Sequence, residues 1–289
     1  MRRIDLHRHL WPAELAAALA ARQAAPYLRG GRLTTSEGTF DIDLEAHGIA
    51  RCLDQLDASG FTTAVVSLQP TLGIERLPAA EAAELFTVYN DGIARVAADA
   101  AGRIRALAAG APRAGFAGVC VPAAALLDPA RVEILAEELT ARSQILFVHP
   151  GPGDPPAGAP DWWAPGIDYT AQMQAAYGAW LAHGVERWPQ LPVVFAILAG
   201  GAPFQIERLQ SRGVDTRRAT GAANVYFDTA SYGRLALELC LATFGVTRLV
   251  YGSDAPVLDP AVSLSTINAL GKVTSDAILR NNAAALVAA

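Results

Sequence analysis

The stretch RRIDLHRHLWP, residues 2–12, is a short apolar run ending in two histidines one residue apart. In an extended chain alternate side chains point the same way, so His7 and His9 share one side while Arg8 points between strand and helix. Taken alone the pair is ambiguous between two metal ligands and two polar residues. Seven further apolar runs give it a context: TTAVVSL (62–68), RIRALAA (103–109), FAGVCVP (116–122), QILFVHP (144–150), LPVVFAILAG (191–200), NVYFDTAS (224–231) and RLVYGSDAP (248–256). Their cores are nearly continuous in apolar residues rather than alternating, the pattern of parallel strands covered on both faces. Between them lie stretches of helical period. Residues 48–60 end in a glycine stop, residues 78–102 open with Pro and close with Gly, and residues 128–143 open with Asp-Pro, a cap followed by a first-turn proline. Eight strand–helix units predict a closed (β/α)₈ TIM barrel, with an open doubly wound sheet as the alternative.

The bulk properties agree. At 289 residues the chain is near the roughly 250 typical of such a barrel. Hydrophobic residues make up 52% and charged residues 18%, ample for a large core and contrary to a disordered chain. A net charge of −5, without a basic run, argues against nucleic acid. Cys52, Cys120 and Cys240 are odd in number and widely spaced, as buried thiols in a reducing cytoplasm would be. The N-terminal segment has Arg2-Arg3 and ELAAALAARQAA, yet Asp5, His7, Arg8, His9 and Glu14 interrupt any signal-peptide core. No stretch reaches the roughly 18 apolar residues of a membrane span. The expectation is a cytoplasmic protein whose residues 1–289 form one barrel, with no membrane partner.

Two connections are too long for simple barrel turns. Gly-rich LRGGRLTTSEGTFDID (28–43) predicts a small hairpin, residues 27–45, inserted after the first strand. The segment GPGDPPAGAPDWWAPGIDYT (151–170) predicts a cover over the barrel mouth.

Metal-competent side chains stand at strand ends: His7 and His9 at the first, His149 at the fifth, Asp228 at the seventh and Asp254 at the eighth. That end of a barrel is where loops from different strands converge on an active site. Three imidazoles with one carboxylate suit a divalent metal, Zn²⁺ first, with Mn²⁺ and Fe²⁺ as alternatives. Asp228 either orients an imidazole or serves strand-end hydrogen bonding. His47 and His183 fall near helix ends, outside this set.

The runs DLHRHLWP, LFVHPGP, LAGGAPFQIERL, YFDTASYG, LVYGSDAPV and ILRNNAAALV, in this order over nearly the whole chain, resemble the amidohydrolase-related family of the amidohydrolase superfamily, in its aminocarboxymuconate semialdehyde decarboxylase-like branch. The resemblance implies metal ligation by His7, His9, His149 and Asp254, a small inserted hairpin after strand one, and, as in many relatives, a homodimer. It also exposes a gap. The family pattern has a histidine at the end of strand six; this chain reads FAILAGGAPF, with Ile197 at that place. General acid–base help of that kind is worth about 10²–10⁴ in rate. Three readings stay open: metal and Asp254 suffice, the substrate or Tyr232 supplies the missing function, or the chain is a ligand-binding relative with weakened catalysis.

The resemblance implies a lyase, a decarboxylase of a small aromatic or enolic carboxylic acid with Asp254 and His149 catalytic. The alternative is a metal-dependent hydrolase of an amide, lactone or acyl bond. Loss of the strand-six donor weakens hydrolysis more, because a developing oxyanion needs a donor beyond one metal. Arg8, Trp11, Trp162, Trp163, Tyr169, Phe204 and Tyr232 are the residues expected to face a small organic acid or ring substrate. No phosphate-loop, dinucleotide or nucleophile-elbow motif is present.

Overall fold

The computed structural model describes residues 2–287. The eleven strands are β1 (Ile4–His9), β2 (Tyr27–Arg29), β3 (Arg32–Thr35), β4 (Gly38–Asp41), β5 (Thr63–Ser67), β6 (Ile104–Ala109), β7 (Gly118–Pro122), β8 (Ile145–His149), β9 (Val193–Phe195), β10 (Val225–Asp228) and β11 (Leu249–Val250). Eight of them pair in parallel in the order β1-β5-β6-β7-β8-β9-β10-β11. The ends of this sheet meet: Leu6 N–H donates to Tyr251 O at 2.8 Å, Asp254 N–H to His7 O at 2.9 Å and His9 N–H to Ala255 O at 2.8 Å. The sheet is therefore a nearly closed (β/α)₈ barrel, and its strands carry the eight predicted runs.

The helices follow local chemistry. Helix Pro129–Ala141 is capped by Asp128, whose side chain accepts from the N–H groups of Ala130 and Arg131. Helix Ile49–Ser59 stops at Gly60, in the left-handed conformation that glycine adopts without steric cost. Buried Val, Leu, Ile, Phe and Ala side chains from strands and helices form one continuous cluster, and Cys52, Cys120 and Cys240 are buried free thiols. No helix among the described residues is long and apolar enough to cross a membrane.

Three local features add to the sequence expectation or depart from it. The expected inserted hairpin is present and carries a third antiparallel strand, in the order β2-β3-β4, and helix Ala13–Ala21 separates it from β1. Strand β1 runs to His9, and its pairing with β5 slips between Asp5 and Arg8, a bulge of the kind that re-aims side chains beside active sites. Strand β9 stops at Phe195 instead of running to Gly200. The next residues turn left-handed, with φ of 47° at Ile197, 49° at Leu198, 51° at Ala199 and 65° at Gly200. For residues with a Cβ this costs roughly 1–2 kcal/mol each. The turn is tied down by Ile197 N–H donating to Asp228 Oδ1 at 2.9 Å and by Gln174 Nε2 donating to Gly200 O at 2.6 Å.

Candidate metal centre and substrate chambers

At the C-terminal end of the barrel, one donor atom each from His7, His9, His149 and Asp254 lies within 4.8 Å of the other three. Each imidazole is held by its Nδ1 side. His7 Nδ1–H donates to Asp228 Oδ2 at 2.7 Å. His9 Nδ1 lies 3.3 Å from both Ser67 O and Ser67 Oγ. His149 Nδ1–H donates to Pro150 O at 2.8 Å. The three Nε2 atoms are thereby left for one another and for Asp254. His7 Nε2 stands 3.2 Å from His9 Nε2, and Asp254 Oδ1 lies 3.1 Å from His9 Nε2 and 3.6 Å from His7 Nε2.

Two Nε2 lone pairs facing each other at 3.2 Å repel unless a proton or a cation lies between them. Ligands about 2.0–2.2 Å from one ion are separated by roughly 3–3.6 Å around a tetrahedron. The donor set and its spacing therefore fit a divalent metal. Burial alone would lower the His7 imidazole, but the Asp228 and Asp254 carboxylates outweigh it and push it up to about 9. Burial lowers His9, and burial together with the other two imidazoles lowers His149 well below the usual histidine range. Burial would raise Asp254, yet the neighbouring histidines hold it below the usual carboxylate value. A proton bridging the pair thus sits on His7, where it competes with a metal.

Asp228 both orients the imidazole and serves the strand end. Fully buried, it accepts from Ile197 N–H at 2.9 Å and Ala230 N–H at 3.0 Å as well as from His7. Gly252 gives the last strand room to pass this pair, since a Cβ there would stand 2.7 Å from His7 Cβ and 3.0 Å from Asp228 Cγ. Asp254 has φ of 57°, a region that aspartate tolerates better than most residues.

Two adjoining chambers open above the cluster. An inner one of about 430 Å³ is walled by His9, His149 and Asp254, with Ile197, Tyr169 and Tyr232 among its other walls. An outer one of about 510 Å³ lies between the inserted sheet and the 155–165 segment, with Trp11 in its wall. The predicted cover of the mouth thus forms part of a chamber wall. Gln69, Thr71, Pro165, Tyr169 and Val257 line both chambers. Trp11 Nε1–H donates to Gln69 Oε1 at 2.6 Å, Gln69 Nε2 lies 3.4 Å from His47 Nε2, and His47 Nδ1–H donates to Asp43 O at 3.0 Å. Tyr169 O–H donates to the Glu37 carboxylate, at 2.9 and 2.7 Å from its two oxygens, and Glu37 also accepts from Gly153 N–H. The inserted sheet is thus tied across the mouth.

Of the residues expected to face substrate, Trp11, Tyr169 and Tyr232 line these chambers and four do not. Arg8 is buried behind the strand, where its guanidinium meets Asp5 at 3.4 Å and Gln55. Trp162 and Trp163 pack on each other with ring centres 6.1 Å apart, while Ala164 and Pro165 face the chamber, and Trp162 is 61% exposed. Phe204, at the start of helix Pro203–Gln210, is 71% exposed. Gln69, Thr71 and Glu37 were missed; Gln69 directly follows the TTAVVSL run, so strand-end position was a usable signal.

The amidohydrolase family profile matches residues 4–288, and the chain belongs to that family. A comparison with curated proteins returned no match. Among solved structures, IDCase of Metarhizium anisopliae superposes with a TM-score of 0.82 at 18% identity, over 99% of this chain and 97% of that one. The 2,6-dihydroxybenzoate decarboxylase from Rhizobium gives 0.76 at 18% identity, over 100% and 99%. The 5-carboxyvanillate decarboxylase from Novosphingobium aromaticivorans, solved with manganese and a nitrobenzoic acid, gives 0.78 at 18%, over 100% and 97%. At these identities the likeness is one of fold.

Proposed function

We propose that this chain is a metal-dependent decarboxylase of a small aromatic or enolic carboxylic acid, working in the reducing cytoplasm. His7, His9, His149 and Asp254 would hold the ion. Zinc suits three imidazoles and one carboxylate; manganese, bound in the Novosphingobium relative, is the alternative. When bound, such an ion polarises the oxygens of the acid and fixes its orientation.

The observation that carries the reading is that Asp254 belongs both to the ligand cluster and to the wall of the inner chamber, while Ile197 adds only apolar surface to that chamber. A carboxylate that reaches the substrate can move a proton. A hydrolase needs a further donor for its oxyanion, and Ile197 has none to offer. Asp254 takes the proton that the substrate hydroxyl gives up on binding and returns it to the ring carbon bearing the carboxylate. The carbon–carbon bond then breaks, its electron pair returns to the ring, and carbon dioxide leaves. Tyr169 and Tyr232 wall the ring, and the buried surroundings exclude water from it. A 2,6-dihydroxybenzoate decarboxylase solved in complex with 2,6-dihydroxybenzoate, similar in fold to this chain, supports this substrate class.

The test is carbon dioxide release from a panel of 2-hydroxybenzoates by chelator-treated and metal-reloaded protein. Release is expected only after reloading, and Asp254→Asn, which suits the left-handed backbone, is expected to lower it about 10²–10⁴-fold. Release that survives either treatment, or ester and amide hydrolysis in its place, contradicts the reading.

A further inference from the structure

The geometry points to a two-part substrate: one carboxylate at the histidine cluster, and an uncharged, ring-sized second part reaching past Gln69 and Tyr169 into the outer chamber. This rests on the decarboxylase reading, and it sets a substrate class that the reading leaves open.

The first support is space. Each chamber alone has the volume that holds a drug-sized ligand, about 300–1,000 Å³, and five residues border both. A single-ring acid seated against His149 and Asp254 leaves the outer chamber to water. Much of its lining is apolar: Leu33 and Phe40 from the inserted sheet, Ile42 just after it, and Trp11 and Leu72 all contribute. Hydroxyl and amide groups at the passage, on Thr71 and Gln69, complete a wall of mixed character. The Gln69 side chain is held in place by Trp11 and His47, so the passage is preformed.

The second support is charge. Among the described residues, no Lys or Arg lines either chamber. The +2 of a divalent ion is already opposed by Asp254 at the cluster and by Asp228 behind His7. The outer chamber adds Glu37, Asp41, Asp43 and Asp161 to its lining, with Asp41 partly answered by Arg32 at 3.5 Å on the rim. A second carboxylate on the substrate would meet these like charges with no lining cation to pair it. The negative lining therefore rejects diacids and admits a neutral apolar ring.

Calorimetric titration of the metal-loaded protein tests this, with 2-hydroxybenzoate as the one-ring probe. At least one of the 4-phenyl and 5-phenyl derivatives is expected to bind about tenfold tighter or more. The 4-carboxy and 5-carboxy derivatives are expected to bind no tighter than the parent. Leu33→Trp, which fills the outer chamber, should bring the phenyl-to-parent affinity ratio to about one. Phe40→Ala, at a more exposed site that tolerates truncation, should lower the ratio in part. Phenyl derivatives that gain nothing, a gain that survives both variants, or diacids that bind as well as the phenyl compounds would overturn the proposal. A chelator arm keeps the two readings apart: 2-hydroxybenzoate binding that persists without metal contradicts the decarboxylase reading, whereas the affinity ratio speaks only to the outer chamber.

Discussion

At the scale of single residues, Asp228 is the group on which the cluster geometry turns. Its two oxygens serve His7 Nδ1, Ile197 N–H and Ala230 N–H, so one buried carboxylate fixes an imidazole, a left-handed turn and a strand end together. Against burial, which lowers it, the Asp228 and Asp254 charges favour the doubly protonated imidazolium and push His7 up to about 9, so that a proton on its Nε2 competes with the metal. The sign follows. Below pH 9 His7 must lose a proton to bind, so metal affinity should rise about tenfold per pH unit up to that point. Asp228→Asn keeps the shape but offers an N–H to His7 Nδ1, turning the Nε2 lone pair into a donor. Metal affinity at neutral pH is expected to fall about 10–100-fold, with a flatter pH dependence, as read by competitive chelator titration. Equal affinity and an equal pH slope in the variant would show that Asp228 does not set the tautomer.

At the scale of elements, the fold is legible in the sequence where the chain is regular. The strand runs were legible because parallel strands buried on both sides need unbroken apolar stretches, and His7, His9, His149 and Asp254 stood out because each ends such a stretch. The aromatic wall was legible only in part. Which way a loop side chain turns depends on tertiary packing that one sequence does not display: Trp162 is exposed and Trp163 packs on it, while Ala164 and Pro165 line the chamber. Arg8 follows from strand alternation, which sends it away from the side shared by His7 and His9; its burial against Asp5 and Gln55 is the outcome of that geometry. Glu37 had no signal at all, since its partners Tyr169 and Gly153 lie more than a hundred residues away. The passage of the β11 segment beside His7 yields a prediction of its own. Gly252→Ala places a methyl 2.7 Å from His7 Cβ, in a wall already packed. The expected cost is about 1–3 kcal/mol in urea unfolding, together with lowered metal content. A variant of native stability and full metal content would mean that the wall yields freely.

At the scale of the whole molecule, the barrel brings residues 7 and 254 together by closing β1 against the segment after β11, through the bonds from Leu6, His9 and Asp254. The inserted sheet, tied by Glu37 to Tyr169 and Gly153, narrows the open end into two chambers. Fold closure thus gathers the candidate metal ligands, and an insertion shapes what reaches them. That three imidazoles and one carboxylate share a single cation is tested most directly by elemental analysis of the purified protein and of its His149→Ala and Asp254→Asn variants. The expected result is about one equivalent of a divalent transition metal per chain in the parent and a large loss in each variant. A parent that retains no metal when purified with supplementation, or variants that keep the full equivalent, would contradict it.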